Sequence, residues 1–185
     1  NIKPCASLGE LTEKQLLILK ESGLTRFHHN IETSEKFYSN IVTTHSFKDR
    51  IAMIERLKKI GFEVCSGGII GLGESIEDRI EMALTLKKLE VDAVPINILM
   101  PIKGTPLENV KRISVFEIIK TIALFRIILE DKMIKLAAGR ETLGDFQGLS
   151  FLAGANGFII GGYLTIAGRS VEDDWKLLEN LTKFF

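Results

Sequence analysis

The residues best suited to chemistry collect near the ends of extended segments. In the run that leads to Thr33, the polar residues Arg26, His28, Asn30 and Glu32 alternate with other residues. Because successive side chains of a strand point to opposite faces, these four groups are expected on one face. A polar face is costly in a dry core, so two interpretations stay open: an internally paired polar layer, or a binding site.

A second segment, Glu63 to Glu74, combines a cysteine with closely spaced glycines. Strand alternation places Cys65 on the same face as Ile69. Four glycines in this segment permit a flat or polar group to approach the backbone closely. They are Gly67, Gly68, Gly71 and Gly73. The pattern is neither a phosphate loop nor a dinucleotide fingerprint, and a lone cysteine is more often an inert core residue than a ligand.

Two polar residues mark later strand ends. Asn97 interrupts the apolar strand Val94 to Ile98, and its amide can both donate and accept hydrogen bonds. It suits a urea or amide ligand, or equally a neighbouring loop. Arg140 follows the strand Met133 to Ala138. Adjacent Glu141 is poorly placed to pair with it, so a carboxylate elsewhere or an anionic ligand is expected.

These residues require a scaffold in which strands alternate with helices. The predicted strands are Ile2 to Cys5, Thr25 to Ile31, Glu63 to Ile70, Ala93 to Leu99, Met133 to Ala138 and Gly157 to Leu164. Five capping pairs mark helix starts: Thr12 with Gln15, Ser46 with Asp49, Ser75 with Asp78, Ser114 with Glu117 and Ser170 with Asp173. A less regular helix is predicted from Gly144 to Gly154.

This alternation predicts an α/β fold, an incomplete (β/α) barrel of the TIM type with about six of the eight strand-helix units that closure needs. A doubly wound open sheet has the same alternation. The barrel is favoured because polar residues end several strands and do not gather at one switch point. No linker, repeat or charge run divides the chain, so residues 1–185 are expected to form one domain.

Composition excludes several classes of protein. The 24 Lys and Arg residues balance 24 Asp and Glu residues, so neither nucleic acid nor an anionic membrane is indicated as a partner. The most apolar stretch, Gly157 to Ala167, falls short of the roughly 20 residues of a membrane-spanning helix. With two cysteines and no signal peptide, the chain is expected in the reducing cytoplasm, with a small-molecule partner.

Seven segments form a series over nearly the whole chain. They are Pro-Cys-Ala-Ser-Leu-Gly at 4–9, His-Asn-Ile-Glu-Thr-Ser at 29–34, Asn-Ile-Val-Thr-Thr at 40–44, Val-Cys-Ser-Gly-Gly-Ile-Ile-Gly-Leu-Gly-Glu at 64–74, Val-Pro-Ile-Asn at 94–97, Ala-Gly-Arg-Glu at 138–141 and Ala-Gly-Ala-Asn at 153–156. Their order and spacing resemble the biotin synthase family of the radical S-adenosylmethionine superfamily.

The resemblance implies insertion of sulfur into dethiobiotin to form biotin. In that family, a [4Fe-4S] cluster that receives electrons from a donor such as flavodoxin or ferredoxin cleaves S-adenosylmethionine. The 5'-deoxyadenosyl radical then abstracts hydrogen from an unactivated carbon. The carbon radical takes sulfur from an auxiliary iron–sulfur cluster, expected to be [2Fe-2S], and a second round closes the ring.

The resemblance also implies roles for individual residues. Cys5, Cys65 and Arg140 match the auxiliary-cluster ligands and so count as catalytic, although a guanidinium is a poor metal ligand and could instead offset cluster charge. Asn30 and Asn97, with His28, match the binding site of the dethiobiotin ureido ring. Glu32 matches a carboxylate that contacts the ribose of S-adenosylmethionine. The adenine-binding strand end corresponds to Gly67, Gly68, Ile69 and Gly71.

The sequence also departs from the family. The Cys-x-x-x-Cys-x-x-Cys motif that holds the radical-generating cluster is absent, as is a further cysteine expected before Cys5. The chain alone is therefore expected to be inactive, as the C-terminal portion of such an enzyme. Association, as a homodimer, is expected to cover its open sheet edges. Another radical enzyme of the same superfamily, or a non-catalytic binding protein that keeps the pocket, are the alternatives.

Overall fold

A computed structural model of the chain describes residues 2–161 and 168–183. Its strands are β1 (Cys5–Ala6), β2 (Arg26–His28), β3 (Glu63–Cys65), β4 (Gly68–Ile70), β5 (Ala93–Ile98), β6 (Met133–Leu136) and β7 (Gly157–Phe158). They form one parallel sheet in the order β1-β2-β3-β5-β6-β7, and β4 also pairs with β5. Because β3 and β4 follow each other along one strand position, the described residues form a sheet with six positions, and the predicted incomplete barrel is confirmed.

The helices lie between successive strand positions, as the alternating pattern predicts. They are α1 (Glu13–Glu21), α2 (Glu35–Tyr38), α3 (Phe47–Ile60), α4 (Ile76–Lys88), α5 (Val115–Leu129), a 3-10 helix (Arg140–Phe146), α6 (Gln147–Leu152) and α7 (Val171–Leu181). Reciprocal capping boxes begin α1, α3 and α4. Ser114 and Ser170 cap α5 and α7 through the hydroxyl group. The predicted helix from Gly144 begins four residues earlier, at Arg140.

The strands are shorter than their sequence patterns predict. β1 starts only at Cys5, and Ile2 is 97% exposed outside the sheet. β2 ends at His28, but the Ile31 N–H still donates to the Gly67 carbonyl at 3.0 Å, so the chain continues alongside β3 and β4. β7 ends at Phe158, and part of the predicted strand to Leu164 lies outside the described residues.

The predicted strand from Glu63 to Ile70 is divided into β3 and β4 by Ser66 and Gly67. β5 contains Pro95 opposite this gap, between Ala93, which pairs with Cys65, and Ile96, which pairs with Gly68. Proline has no N–H to donate to a neighbouring strand. The ladder is therefore interrupted at this point and resumes after it.

The hydrophobic core lies between the sheet and the helices. Strand residues with 0% exposure, among them Phe27, Val64, Val94 and Ile134, pack there with helix residues such as Leu57. The opposite, concave face of the sheet carries the polar residues. Among the described residues, no helix is long and apolar enough to cross a membrane.

Candidate functional site

The polar residues of β2 lie on the concave face of the sheet, as strand alternation predicts. Phe27 and Ile31 are completely buried, whereas Arg26, His28 and Asn30 are half-buried. Part of this face is internally paired, because an Arg26 nitrogen lies 2.6 Å from Oε2 of Glu63. The hydrogen bond from Arg26 lowers the pKa of that carboxyl. His28 has no ion-pair partner in the described part of the chain, and Asn30 accepts a hydrogen bond from the Gly67 N–H.

The two cysteines lie close enough to Lys135 to be influenced by its charge. Cys65 is buried, and its Sγ lies 3.3 Å from Nζ of Lys135. Cys5 is exposed on the edge strand, yet burial of part of its side chain and the charge of Cys65 raise the pKa of its thiol. Lys135 and Arg26 act in the opposite direction. Burial and then Lys135 lower the pKa of His28, so its imidazole is neutral near pH 7.

Arg140 has a different set of contacts from the one expected of a cluster ligand. Its side chain is completely buried and donates to Oε1 of Gln147 at 2.6 Å and to Oδ2 of Asp174 at 2.5 Å. Its guanidinium carbon lies 4.8 Å from the centre of the Phe158 ring. Arg140 therefore ties the 3-10 helix to α6, α7 and β7, and the cation beside Cys65 is Lys135.

The two asparagines line one cavity of about 280 Å³ at the ends of the strands. Oδ1 of Asn30 accepts from the Gly67 N–H at 3.0 Å. Asn97 donates from Nδ2 to the Gly68 carbonyl and accepts at Oδ1 from the Ala138 N–H. Each amide thus keeps at least one N–H for a ligand. Both expectations for Asn97, a loop contact and a ligand contact, are compatible with this arrangement.

The space beside the paired glycines, Gly67 and Gly68, is filled by the protein itself. A Cβ atom on Gly67 would lie 2.0 Å from the Pro95 carbonyl oxygen, and one on Gly68 would lie 2.3 Å from the Glu32 carbonyl oxygen. Close approach is therefore made by neighbouring backbone at these two positions. Ile69, the central residue of β4, lines the cavity that the two asparagines share.

The turn after β4 is held by a buried carboxylate. Gly71 has φ of +87°, a conformation that favours glycine. Glu74 accepts from the N–H groups of Gly71 and Leu72 at 2.8 and 2.6 Å, and from Nε of Arg79 at 2.7 Å. Arg79 in turn donates to Thr121 of α5. This network fixes the turn that follows the predicted adenine-binding segment.

Glu32 lies at the same end of the sheet. Burial raises the pKa of its carboxyl, although Arg50 and a hydrogen bond from Asn30 act in the opposite direction. Arg50, on α3, also donates from Nε to the Tyr38 hydroxyl at 3.2 Å. Sequence reasoning missed Arg50 and Lys135. Lys135 had a detectable signal, as the one charged residue in an apolar strand, whereas Arg50 stands among the many charged residues of a helix surface.

The described residues include two thiols that could serve as ligands of an iron–sulfur cluster. Such a cluster takes four protein ligands, usually thiolates. The sequence has two cysteines, and no group of three or more His, Cys, Asp and Glu residues suited to a metal ion occurs within residues 2–161 and 168–183. Two thiols beside a lysine therefore fit one side of a cluster in their chemistry.

Comparison with known sequences finds two family matches that together span most of the chain. Residues 2–86 match the Radical SAM superfamily, and residues 95–182 match the Biotin and Thiamin Synthesis associated domain. The gap between them, residues 87–94, runs from the end of α4 into the first residues of β5. Because β5 pairs with β3 and β4, one continuous sheet includes both matched regions.

Curated relatives are named biotin synthase. The protein of Thermotoga neapolitana is 62% identical over 182 residues, which are 98% of this chain and 65% of that protein. The protein of Carboxydothermus hydrogenoformans is 57% identical over 178 residues, which are 96% of this chain and 55% of that protein. The chain thus spans less than two thirds of the length of these relatives.

Solved structures support the fold. A methylornithine synthase superposes with a TM-score of 0.77 at 23% identity, over 94% of this chain and 55% of that one. The hydrogenase maturase HydG of Carboxydothermus hydrogenoformans superposes with a TM-score of 0.77 at 21% identity, over 95% of this chain and 46% of that one. At such identities the likeness concerns architecture alone.

Proposed function

Because this chain belongs to the biotin synthase family of radical S-adenosylmethionine proteins, we propose that it forms the part of a sulfur-inserting enzyme that holds dethiobiotin and one side of an auxiliary iron–sulfur cluster. The observation that carries the proposal is the placement of Cys65, Asn30 and Asn97 on one concave face of neighbouring strands. The 62% identity to a protein named biotin synthase supports it.

The proposed cluster ligand Cys65 and the proposed ureido-binding residue Asn97 lie at different positions along the strands. Cys65 pairs with Ala93 and Ile69 pairs with Asn97 in the register of β5, so the cysteine lies four residues below the asparagine. Four residues of a strand span about 13 Å. A ring held by the two asparagines would therefore lie on the same face as a cluster held by Cys5 and Cys65, but further along the strands.

Each residue at the site has a task that follows from its chemistry. The N–H groups of Asn30 and Asn97 can donate to the oxygen of a urea. Neutral His28 adds a hydrogen bond without adding charge, and Lys135 offsets the negative charge of the thiolates. Glu32 can accept hydrogen bonds from the two hydroxyls of a ribose. When bound, S-adenosylmethionine and the clusters supply the radical and the sulfur atom in this family.

The remaining parts of the proposal concern partners. We extend it to a [2Fe-2S] type for the auxiliary cluster, to a [4Fe-4S] cluster whose ligands are absent from this chain, and to an electron donor of the flavodoxin or ferredoxin class. A homodimer and a single domain over residues 1–185 belong to the same proposal. The chain alone is expected not to turn over dethiobiotin, because its two cysteines cannot hold both clusters.

Calorimetric titration with dethiobiotin tests the ureido site. Asn30→Asp keeps an oxygen for the Gly67 N–H but removes the N–H that would serve the ligand. Its affinity for dethiobiotin is expected to fall tenfold or more, about the value of one hydrogen bond to a strong acceptor. Asn156→Asp is the matched control, because Asn156 also accepts from a backbone N–H, that of Ile134 at 2.8 Å, but lines no part of the cavity.

Equal affinity of the wild-type chain and Asn30→Asp would contradict the ureido assignment. A wild-type chain that does not bind dethiobiotin would favour a different substrate. The cluster assignment is tested separately, by iron and sulfide content after anaerobic reconstitution. Cys5→Ser and Cys65→Ser are each expected to lower the bound iron, and unchanged iron in both variants would contradict their roles as ligands.

A further inference from the structure

Glu32 occupies a strained backbone conformation. Its φ is +69°, and the Thr33 N–H donates to the Ile31 carbonyl at 2.9 Å, two residues back. This is a γ-turn in its rarer form, with a positive φ at the central residue. Glycine adopts positive φ without steric cost, whereas a residue with a side chain is strained there. A carboxylate is thus kept at a position that the backbone alone would assign to glycine.

Neighbouring backbone holds one side of the turn. The Glu32 N–H donates to the Gly67 carbonyl at 3.2 Å, and the Glu32 carbonyl accepts from the Ile69 N–H at 2.8 Å. This contact is so close that Gly68 has no room for a Cβ atom. Both the N–H and the carbonyl of Glu32 are therefore hydrogen-bonded to the segment from Gly67 to Ile69.

A buried side-chain pair holds the other side. The Ser34 hydroxyl, two residues after Glu32, donates to Oδ1 of Asp78 at 2.8 Å, and accepts from the Phe37 N–H at 3.0 Å. Ser34 is completely buried and Asp78 is 7% exposed. The other oxygen of Asp78 accepts from the Ser75 N–H at 2.9 Å. Asp78 thus caps α4 and also ties the start of α2 to it.

The same capping motif occurs elsewhere without this second contact. Asp49 completes the box with Ser46 at the start of α3, as Asp78 does with Ser75. The hydrogen bonds of the Asp49 side chain go to Ser46. The additional bond to Ser34 therefore distinguishes Asp78 from an ordinary capping residue. Strained conformations persist only where the surroundings over-determine them.

We propose that Asp78, acting through Ser34, is a positioning residue that keeps Glu32 in its strained turn and holds the carboxylate beside Asn30 and Arg50 in readiness for the hydroxyls of a nucleoside. The proposal rests on the role of Glu32 as a ribose acceptor in the proposed function. It adds that the strain belongs to the site: the fold would be more stable with glycine at this position, because glycine adopts a positive φ without steric cost.

The strain is tested by comparing the melting temperatures of Glu32→Gly and Glu32→Ala. Both variants lack the carboxylate, but only glycine relieves the positive φ. We expect Glu32→Gly to melt about 2–4 °C above Glu32→Ala, the shift that a modest strain gives in a chain of this size. A Glu32→Gly variant that melts at or below Glu32→Ala overturns the claim of strain, whatever the chain binds.

The positioning role is tested by nuclear magnetic resonance titration with adenosine and 2',3'-dideoxyadenosine. The ratio of their dissociation constants reports hydroxyl recognition and not overall folding. In the wild-type chain, adenosine is expected to bind about tenfold or more tightly. Asp78→Ala should lower this ratio towards one, with dideoxyadenosine binding retained. Asp49→Ala, which removes a cap of the same kind, should leave the ratio unchanged.

The outcomes distinguish the positioning role of Asp78 from the recognition of a nucleoside by Glu32. Equal ratios in Asp78→Ala and the wild-type chain, or an equal fall in Asp49→Ala, overturn the positioning role of Asp78. A wild-type ratio of one contradicts nucleoside recognition by Glu32, and with it this part of the proposed function. The melting comparison does not depend on either result.

Discussion

The Nζ atom of Lys135 lies 3.3 Å from the Sγ atom of Cys65, although β6 and β3 are separated by β5. Lys135 pairs with Pro95 of β5, and Cys65 pairs with Ala93, two residues earlier on the same strand, so the lysine side chain reaches across β5 to the cysteine. A positive charge is thereby supplied to the thiol from a strand that itself carries no cysteine.

Removing this charge is expected to weaken cluster binding. Lys135→Gln should lower the resistance of bound iron to a competing chelator about tenfold, because the ammonium group beside Cys65 attracts a negatively charged cluster. Lys132→Gln, at the turn before β6, provides the control. Iron retained equally by both variants would contradict a role for Lys135 and favour Arg140 as the residue that offsets cluster charge.

Arg140 is expected to be important chiefly for stability. Its buried ion pair with Asp174 has side-chain exposures of 0% and 2%. Asp174→Ala leaves the guanidinium without that carboxylate, so the free energy of unfolding should fall by about 3–5 kcal/mol. Urea denaturation measures this loss. Asp173→Ala, in the same turn of α7 but exposed, should cost clearly less; an equal cost would show that only the helix start matters.

The tight contact at Gly67 predicts a large effect of one methyl group. Gly67→Ala places a Cβ atom 2.0 Å from the carbonyl oxygen of Pro95, a backbone atom that cannot move aside. We expect a loss of about 3 kcal/mol or more in the free energy of unfolding. Gly148→Ala is the matched control, since its Cβ would meet only Leu181 at 3.6 Å within a helix. That variant should be neutral or slightly stabilised.

His29 predicts a pH dependence of stability. Burial, followed by the charge of Arg50, lowers the pKa of its imidazole to about 4, and its Nε2 atom has no hydrogen-bond partner within residues 2–161 and 168–183. The unfolded chain takes up this proton near pH 6.5, whereas the folded chain does so only near pH 4. Stability from this group is therefore complete above about pH 6.5, falls as the pH drops through that interval, and is lost below about pH 4, by about 3 kcal/mol in total.

The contribution of His29 is isolated by a difference measurement. The free energies of unfolding of the wild-type chain and of His29→Leu are compared between pH 7 and pH 4. His29→Leu should show a shallower decline, because the imidazole no longer takes up a proton on unfolding. His45→Leu removes an exposed histidine and serves as control. Parallel curves for the wild-type chain and His29→Leu would contradict the prediction.

The fold was largely predictable because its signals are local. Capping hydroxyls such as Ser46 and Ser75 mark helix starts through contacts three residues apart, and these contacts form as expected. The alternation around Phe27 likewise separates the core face from the concave face. Strand ends were less predictable. The break between β3 and β4 depends on Pro95, a residue of another strand, which no local pattern reports.

The site was predictable in its location and less so in its contacts. The joint lining of one cavity by Asn30 and Asn97 follows from parallel strands that end at one edge. The partner of Arg140 could not be read from the sequence, since Asp174 is distant along the chain and looks like an ordinary residue near a helix start. The charges of Lys135 and Arg50 depend on how far long side chains reach, which only the folded arrangement decides.

The hydrogen bond from the Gly67 N–H to Oδ1 of Asn30 fixes which end of that amide is free. The side that remains is a donor, and Asn97 also has a spare N–H after its two backbone contacts. A cavity lined by these two donors distinguishes ligands by their polarity as well as by their shape. A cyclic urea presents an oxygen to these donors, whereas a cyclic guanidinium of the same outline presents another N–H, and the two sets of hydrogens would face each other without an acceptor.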